Sequence, residues 1–224
     1  MTVVEHEGRL YPLGRTLTPT HDPANRRFPA MLGQVRRRRH VRYGGPFDQG
    51  SIGSCTGNAL AGWFNTQNGG HRTGDPLKSE ADAVRYYSLG TGLDSWPGTY
   101  PPDDTGCDGE SVCKAARAAG DLTSYHHAFG VDHMLGALMV TPVIVGTVWS
   151  VGMFTPDENG VVTPSGNVVG GHEYEAVGYD PATGLIEFWQ SWGLTWGRRG
   201  RFFIHRDPFS ELLQQQGDVT VPVR

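Results

Sequence analysis

The chain has 224 residues, a net charge of −4, 32 glycines, 15 prolines and three cysteines. That length suits one domain, or two small lobes around a cleft, with a core that needs no metal or disulfide. The glycine and proline content argues against a coiled coil or bundle, the charge gives no electrostatic case for nucleic acid, and no stretch reaches the roughly 18 apolar residues of a membrane helix.

Residues 1–46 read as an extended, turn-rich arm. The run Thr18-Pro19-Thr20-His21-Asp22-Pro23-Ala24-Asn25 has neither a helical nor a strand period. The arm is expected to wrap the body and to place few catalytic groups, and it offers a surface for a protein assembly partner. The start, Met1-Thr2-Val3-Val4-Glu5-His6-Glu7, lacks the basic region and apolar run of a signal peptide, so a cytoplasmic site of synthesis is expected. Arg36-Arg37-Arg38-Arg39-His40 has three readings: an anionic-surface patch, a solvated or ion-paired arm, or a processing site.

Residues 47–54 form a tight loop with Gly50 and Gly53. From Ser54 to Gln67 the three- and four-residue spacing of Cys55, Ala59 and Trp63 predicts a helix, stopped by Gly69-Gly70. Cys55 then sits on the first helical turn, where backbone N–H groups and the dipole favour a thiolate. A second helix is predicted over Ser79–Leu89 with Ser79 as cap, and a third from Gly109 or Glu110 to Ala119, ended by Gly120. Val131–Leu138 is a short helix or turn. Cys107 and Cys113 form a small loop disulfide or stay as two thiols. With no accompanying histidine pair they make a poor zinc site, and neither metal nor cofactor is expected.

The character then becomes β-rich. Pro142–Trp149 is nearly all apolar and reads as a buried strand; Glu173–Tyr179 follows Gly170-Gly171; Asp180–Gly184 is a turn; Leu185–Trp189 and Gly200–His205 are strands. A helical half followed by a β-rich half predicts an α+β fold with two lobes and a cleft between them. Cys55 belongs to the first lobe and His172 to the second. His126-His127 and His133 carry no ligand pattern, and His172-Glu173 does not continue into a metalloprotease helix motif.

A thiol at Cys55, an imidazole at His172 and a carboxamide at Gln190 can together make an activated nucleophile. Gln49 is a side-chain donor for a developing oxyanion, Trp192 would shield the imidazole–amide bond, and Gly50 and Gly53 would let substrate approach closely.

Three blocks in this order resemble the papain-like cysteine peptidases: Asp48-Gln49-Gly50-Ser51-Ile52-Gly53-Ser54-Cys55; Gly171-His172-Glu173-Tyr174-Glu175-Ala176-Val177-Gly178-Tyr179; and Gln190-Ser191-Trp192-Gly193-Leu194-Thr195-Trp196-Gly197-Arg198-Arg199-Gly200. The resemblance covers roughly residues 45–206. It implies a helical left lobe (about 47–138) and an antiparallel, barrel-like right lobe (about 139–206) in one catalytic domain, 47–206, with a C-terminal tail at 207–224. It also implies Cys55 as nucleophile, His172 as base and acid, Gln49 in the oxyanion hole, Trp192 as the shield and Trp196 on the leaving-group side of the cleft. Gly53 and Gly171 would line that cleft, and the substrate would be a peptide or protein.

Three positions depart from the family pattern. Gln190 stands where the family has asparagine, Ile52 where many members have a disulfide cysteine, and Thr56 where an aromatic is usual. The short Gly53-Ser54-Cys55-Thr56-Gly57-Asn58-Ala59 form, without a long helical propeptide, looks more like bacterial or bacteriophage members, which would allow virion association. The expected activity is thiol-dependent amide hydrolysis. The alternative is a papain-like binding or structural module that does not cut.

Overall fold

The computed structural model describes residues 1–14 and 23–224. The Thr18–Asp22 part of the arm lies outside them. The chain opens with a hairpin of β1 (Thr2–His6) and β2 (Arg9–Leu13). Glu7 and Gly8 close it at φ of 49° and 75°, the positive pair whose twist suits a two-residue hairpin turn. After a 3-10 turn at Pro23–Arg27, β3 (Arg38–Arg39) joins the main sheet. The arginine run is ion-paired on its own chain: Arg37 Nε lies 3.3 Å from Asp180 Oδ2 and Arg39 Nε 2.8 Å from Glu187 Oε2.

The helical lobe is built on α1 (Cys55–Phe64), buried along its whole length. Two helices pack on it, α2 (Glu80–Thr91) and α3 (Gly109–Ala118). The caps follow the sequence. Ser79 and Asp82 form a capping box on α2, Asp108 accepts from the Ser111 N–H on α3, and Gly120 turns the chain at φ 80°. A Cβ on Gly57 would fall on the Ala83 carbonyl, so a glycine is what lets α1 and α2 touch. α1 stops at Phe64, earlier than Gly69-Gly70 suggested. Asn65 turns the chain by pairing both ends of its amide with the backbone of Lys78. Gly69 and Gly70 instead press against Trp63 and Phe64, where a side chain has no room.

The second lobe holds β4 (Ser124–His127), α4 (Gly130–Leu138), β5 (Val143–Ser150), β6 (Val168–Asp180), β7 (Leu185–Trp189), β8 (Arg201–His205), α5 (Arg206–Gln214) and β9 (Asp218–Val223). The sheet is antiparallel with the order β4-β9-β5-β6-β7-β8, and β3 also pairs with β6. It is open: β4 and β8 are edges and do not meet, so the barrel-like closure expected from the resemblance is corrected. The residues after Arg206 supply α5 and a strand between β4 and β5. Each lobe has its own core. Tyr86, Leu60, Trp63 and Val112 anchor the helical one, and Trp149, Tyr174, Phe188 and Phe202 the β-rich one. Among the described residues no helix is long and apolar enough to cross a membrane.

Candidate active site

Cys55 begins α1, and its thiol is buried at the junction of the lobes. Burial and the neighbouring Glu173 charge push its pKa up to about 12, against the pull of the Glu173, Thr56 and Cys55 backbone N–H groups. The helix N-terminus therefore acts in the expected direction but is outweighed by lost solvation.

His172 lies on β6, opposite Thr147 of β5. Its ring stacks on Trp192 (4.6 Å between centroids, 26° between planes) and meets the edge of Trp149 at 5.3 Å. Nε2 donates to Gln190 Oε1 at 2.5 Å. The same oxygen accepts from the Ser191 N–H at 2.7 Å, which fixes it as oxygen and makes His172 the Nε2–H tautomer. The longer stem of glutamine thus still reaches the imidazole. Burial pushes the His172 pKa down to about 4, and the Gln190 bond opposes this only in part. Nδ1 has no hydrogen-bond partner among the described residues. Trp192, 1% exposed, lies over the His172 ring, and Trp196 packs edge-on against Trp192 at 5.1 Å while donating Nε1 to the Phe154 carbonyl.

Gln49 is buried in the loop before α1. Ser191 Oγ donates to its Oε1 at 2.5 Å, so Nε2 points the other way, toward the carbonyls of Ile52 (2.8 Å) and Pro12 (3.4 Å). Gly53 is held by Asp104, whose carboxylate accepts from its N–H, and has no space for a side chain. Gly171 pairs with Val148 in the sheet.

The structure brings Cys55, His172, Gln190, Gln49, Trp192, Trp196, Gly53 and Gly171 to one junction. It also places there a segment assigned few catalytic contacts. β2 runs through the cleft. Arg9 Nη2 donates to the Trp192 carbonyl at 2.5 Å and Nη1 to Thr195 Oγ1 at 3.2 Å; the Tyr11 ring lies 4.8 Å from Trp192. Leu13 is fully buried against Gly170. A Cβ on Gly14 would lie 3.0 Å from the Gly171 carbonyl oxygen and 3.6 Å from Cys55 Sγ. The arm therefore covers the thiol.

Sequence reasoning also missed a polar layer behind the site. Arg42, its side chain 3% exposed, pairs with fully buried Glu175 at 3.2 Å and lies over the rings of Phe47 and Trp189. Glu173 and Asp218 bring their carboxyls together beside Gly146 and Gly109, neither of which could carry a Cβ there. The available signal was two glutamates at alternate positions of a largely buried strand, which puts both on one face. Cys107 and Cys113 are free thiols, and no cluster suited to a metal occurs among the described residues.

A helical lobe and an antiparallel lobe, with a buried cysteine on the first helix of one and a buried histidine on a strand of the other, make the papain-like cysteine protease fold. Three solved structures carry that likeness. Xylellain, a cysteine protease from Xylella fastidiosa, superposes with a TM-score of 0.71 at 17% identity, covering 95% of this chain and 97% of its own. The ragweed pollen cysteine protease Amb a 11 in its proform gives 0.63 at 18%, over 86% and 67%. A Carica candamarcensis cysteine protease in complex with E-64 gives 0.59 at 16%, over 83% and 98%. No protein-family model and no curated protein matches the sequence. These likenesses bear on the fold, and they lend no support to a bacteriophage origin or a virion.

Proposed function

We propose that this chain is a cysteine peptidase held latent by its own N-terminal hairpin. The observation that carries the reading is the Nε2–H bond from His172 to Gln190, because it leaves Nδ1 free to act as a base. In the open form His172 takes the Cys55 proton as sulfur attacks the substrate carbonyl. Gln49 Nε2 and the Cys55 N–H receive the oxyanion. Collapse returns the proton to the leaving amine and leaves a thioester, which water cleaves with His172 again as base. The substrate class is a peptide or protein segment. In support, the segment now in the cleft is itself a peptide whose Pro12 carbonyl accepts from Gln49.

The covered thiol also favours a second reading, a module that binds without cutting. Labelling of the intact protein with a thiol-directed peptidyl epoxide, mapped by mass and controlled with Cys55→Ala, separates the two. Labelling confined to Cys55 and accelerated by Arg9→Ala supports the latent peptidase. A Cys55 that stays at the rate of an ordinary thiol after the arm is loosened supports the binding module.

A further inference from the structure

We infer that Asn58 positions Gln190, and through it His172, by way of one buried water held between the lobes. The inference rests on Gln190 being the orienting partner of His172. Asn58 lies on α1, one turn beyond Cys55, and is 3% exposed. Its Nδ2 donates to the Ser54 carbonyl at 2.8 Å and to Ser54 Oγ at 3.0 Å. The opposite flip would set Oδ1 against that carbonyl, so Oδ1 faces away from Ser54. It has no hydrogen-bond partner among the described residues.

Gln190 is the complement. Its Oε1 is taken by His172 and Ser191, and its buried Nε2 has no partner among the described residues. Both residues line a cavity of ≈ 10 Å³, shared with Arg42, Phe47, Glu173 and Trp189 among others. Arg42 Nε and Nη2 are likewise unpartnered among the described residues. The volume is that of about one water-sized sphere, and a buried water needs two to four polar partners. Here it accepts from Gln190 Nε2 and from Arg42, and donates to Asn58 Oδ1.

The geometry matters because glutamine has one more rotatable bond than the family's asparagine. A free carboxamide could flip and present N–H groups to His172 Nε2–H and the Ser191 N–H. A water anchored by Asn58 holds Nε2 on the cavity side, so Oε1 stays on the imidazole. Asn58 is therefore a positioning residue: it touches no substrate, and it acts by selecting the tautomer that leaves Nδ1 unprotonated.

Two readouts test this without turnover. A crystal structure of the intact protein should show an ordered water within roughly 2.7–3.2 Å of both Asn58 Oδ1 and Gln190 Nε2; an empty cavity, or direct contact of the amides, overturns the inference. ¹⁵N NMR of His172 should show the Nε2–H tautomer in the wild type and a mixture of tautomers in Asn58→Leu. A folded Asn58→Leu with unchanged tautomer overturns it; if that variant does not fold, the wild-type crystal structure decides. Where the protein turns over peptide, Asn58→Leu should lower kcat about 10-fold to 100-fold with little change in KM, the range for a displaced catalytic group. Loss of turnover in the wild type would count against the peptidase reading alone, since the water and the tautomer are seen without it.

Discussion

The Pro12 carbonyl accepts a hydrogen bond from Gln49 Nε2 at 3.4 Å, while the next residues of the same strand place Gly14 against Cys55 Sγ. A carbonyl directed at the Gln49 amide and a backbone over the thiol are what a peptide bound to the proposed site would present. The occupant belongs to the chain itself, so on the proposed reading it would compete at a high effective concentration with a substrate peptide. Burial at the junction pushes the thiol pKa up to about 12 and the imidazole pKa down to about 4. Displacing the hairpin would remove the backbone at Gly14 that lies over the thiol and so lessen the desolvation of Cys55.

The first prediction concerns that displacement. Leu13 is fully buried by docking, which contributes about 2 kcal/mol for a leucine side chain. Leu13→Ser should therefore raise the open population roughly 30-fold, since about 1.4 kcal/mol is a factor of ten. The rate of Cys55 alkylation by iodoacetamide, followed by intact mass, reads this directly. An unchanged rate would mean that the hairpin does not gate the thiol.

Gln190 gives the second. Gln190→Ala leaves the His172 Nε2–H without its acceptor and should cost about 100-fold in kcat/KM on a peptide substrate, the scale of an approximately 1 Å misplacement. Gln190→Asn keeps a carboxamide but shortens the stem, and should retain more activity than alanine. Equal losses in the two variants would show that the amide does not orient the ring.

The third concerns Arg42 and Glu175, a buried pair joining the arm to β6 at a place where Gly62 of α1 leaves room. Arg42→Ala strands a buried carboxyl and should destabilise the fold by about 3–5 kcal/mol, a fall in Tm of roughly 10 °C at this size. Joint replacement, Arg42→Met with Glu175→Leu, should restore most of it. A double-mutant cycle by thermal denaturation measures the coupling; additive losses would remove the pair from the account.

What could be read from the sequence follows the range of the forces involved. α1 to α3 and β5 to β8 declare themselves through local spacing and caps, and the caps at Ser79 and Asp108 sit where their side chains demand. The cleft residues were legible because Gln49, Cys55, His172 and Gln190 lie in ordered blocks. The β1–β2 hairpin was not, because its apolar residues find their partners in the distant Trp192, Phe154 and Gly170. β9 was hidden by Pro222, which argues against a central strand. In the structure β5 pairs only with Asp218–Thr220, so Pro222 faces β4 alone and its missing N–H is harmless. Asn58, Arg42 and Glu175 are far apart in sequence and meet only once the lobes close.

The last prediction turns on Glu173, buried beside Cys55 with Asp218 of β9, Asp108 before α3 and Cys113 on α3 nearby. Burial and the Asp218 and Asp108 charges hold the Glu173 carboxyl well above its usual range. Burial likewise raises Asp218, to about 7, with Asp108 and Glu110 adding to it. For an acid raised in the folded state, the unfolded chain binds fewer protons between the two pKa values. Stability is then full below the unfolded pKa, about 4.3 for glutamate, and falls as pH rises toward the folded value. Each pH unit in that window costs about 1.4 kcal/mol per group. Glu173→Gln keeps the shape and removes the titration, so it should raise Tm by several degrees at pH 8 and change it little at pH 4. It should also bring the Cys55 pKa down, since the Glu173 charge is one of the two causes holding it up. Thermal melts across pH 4–8 and alkylation–pH profiles read the two effects separately. A Glu173→Gln protein with the wild-type slope of Tm against pH would show that the carboxyl pair does not carry the proton assigned to it.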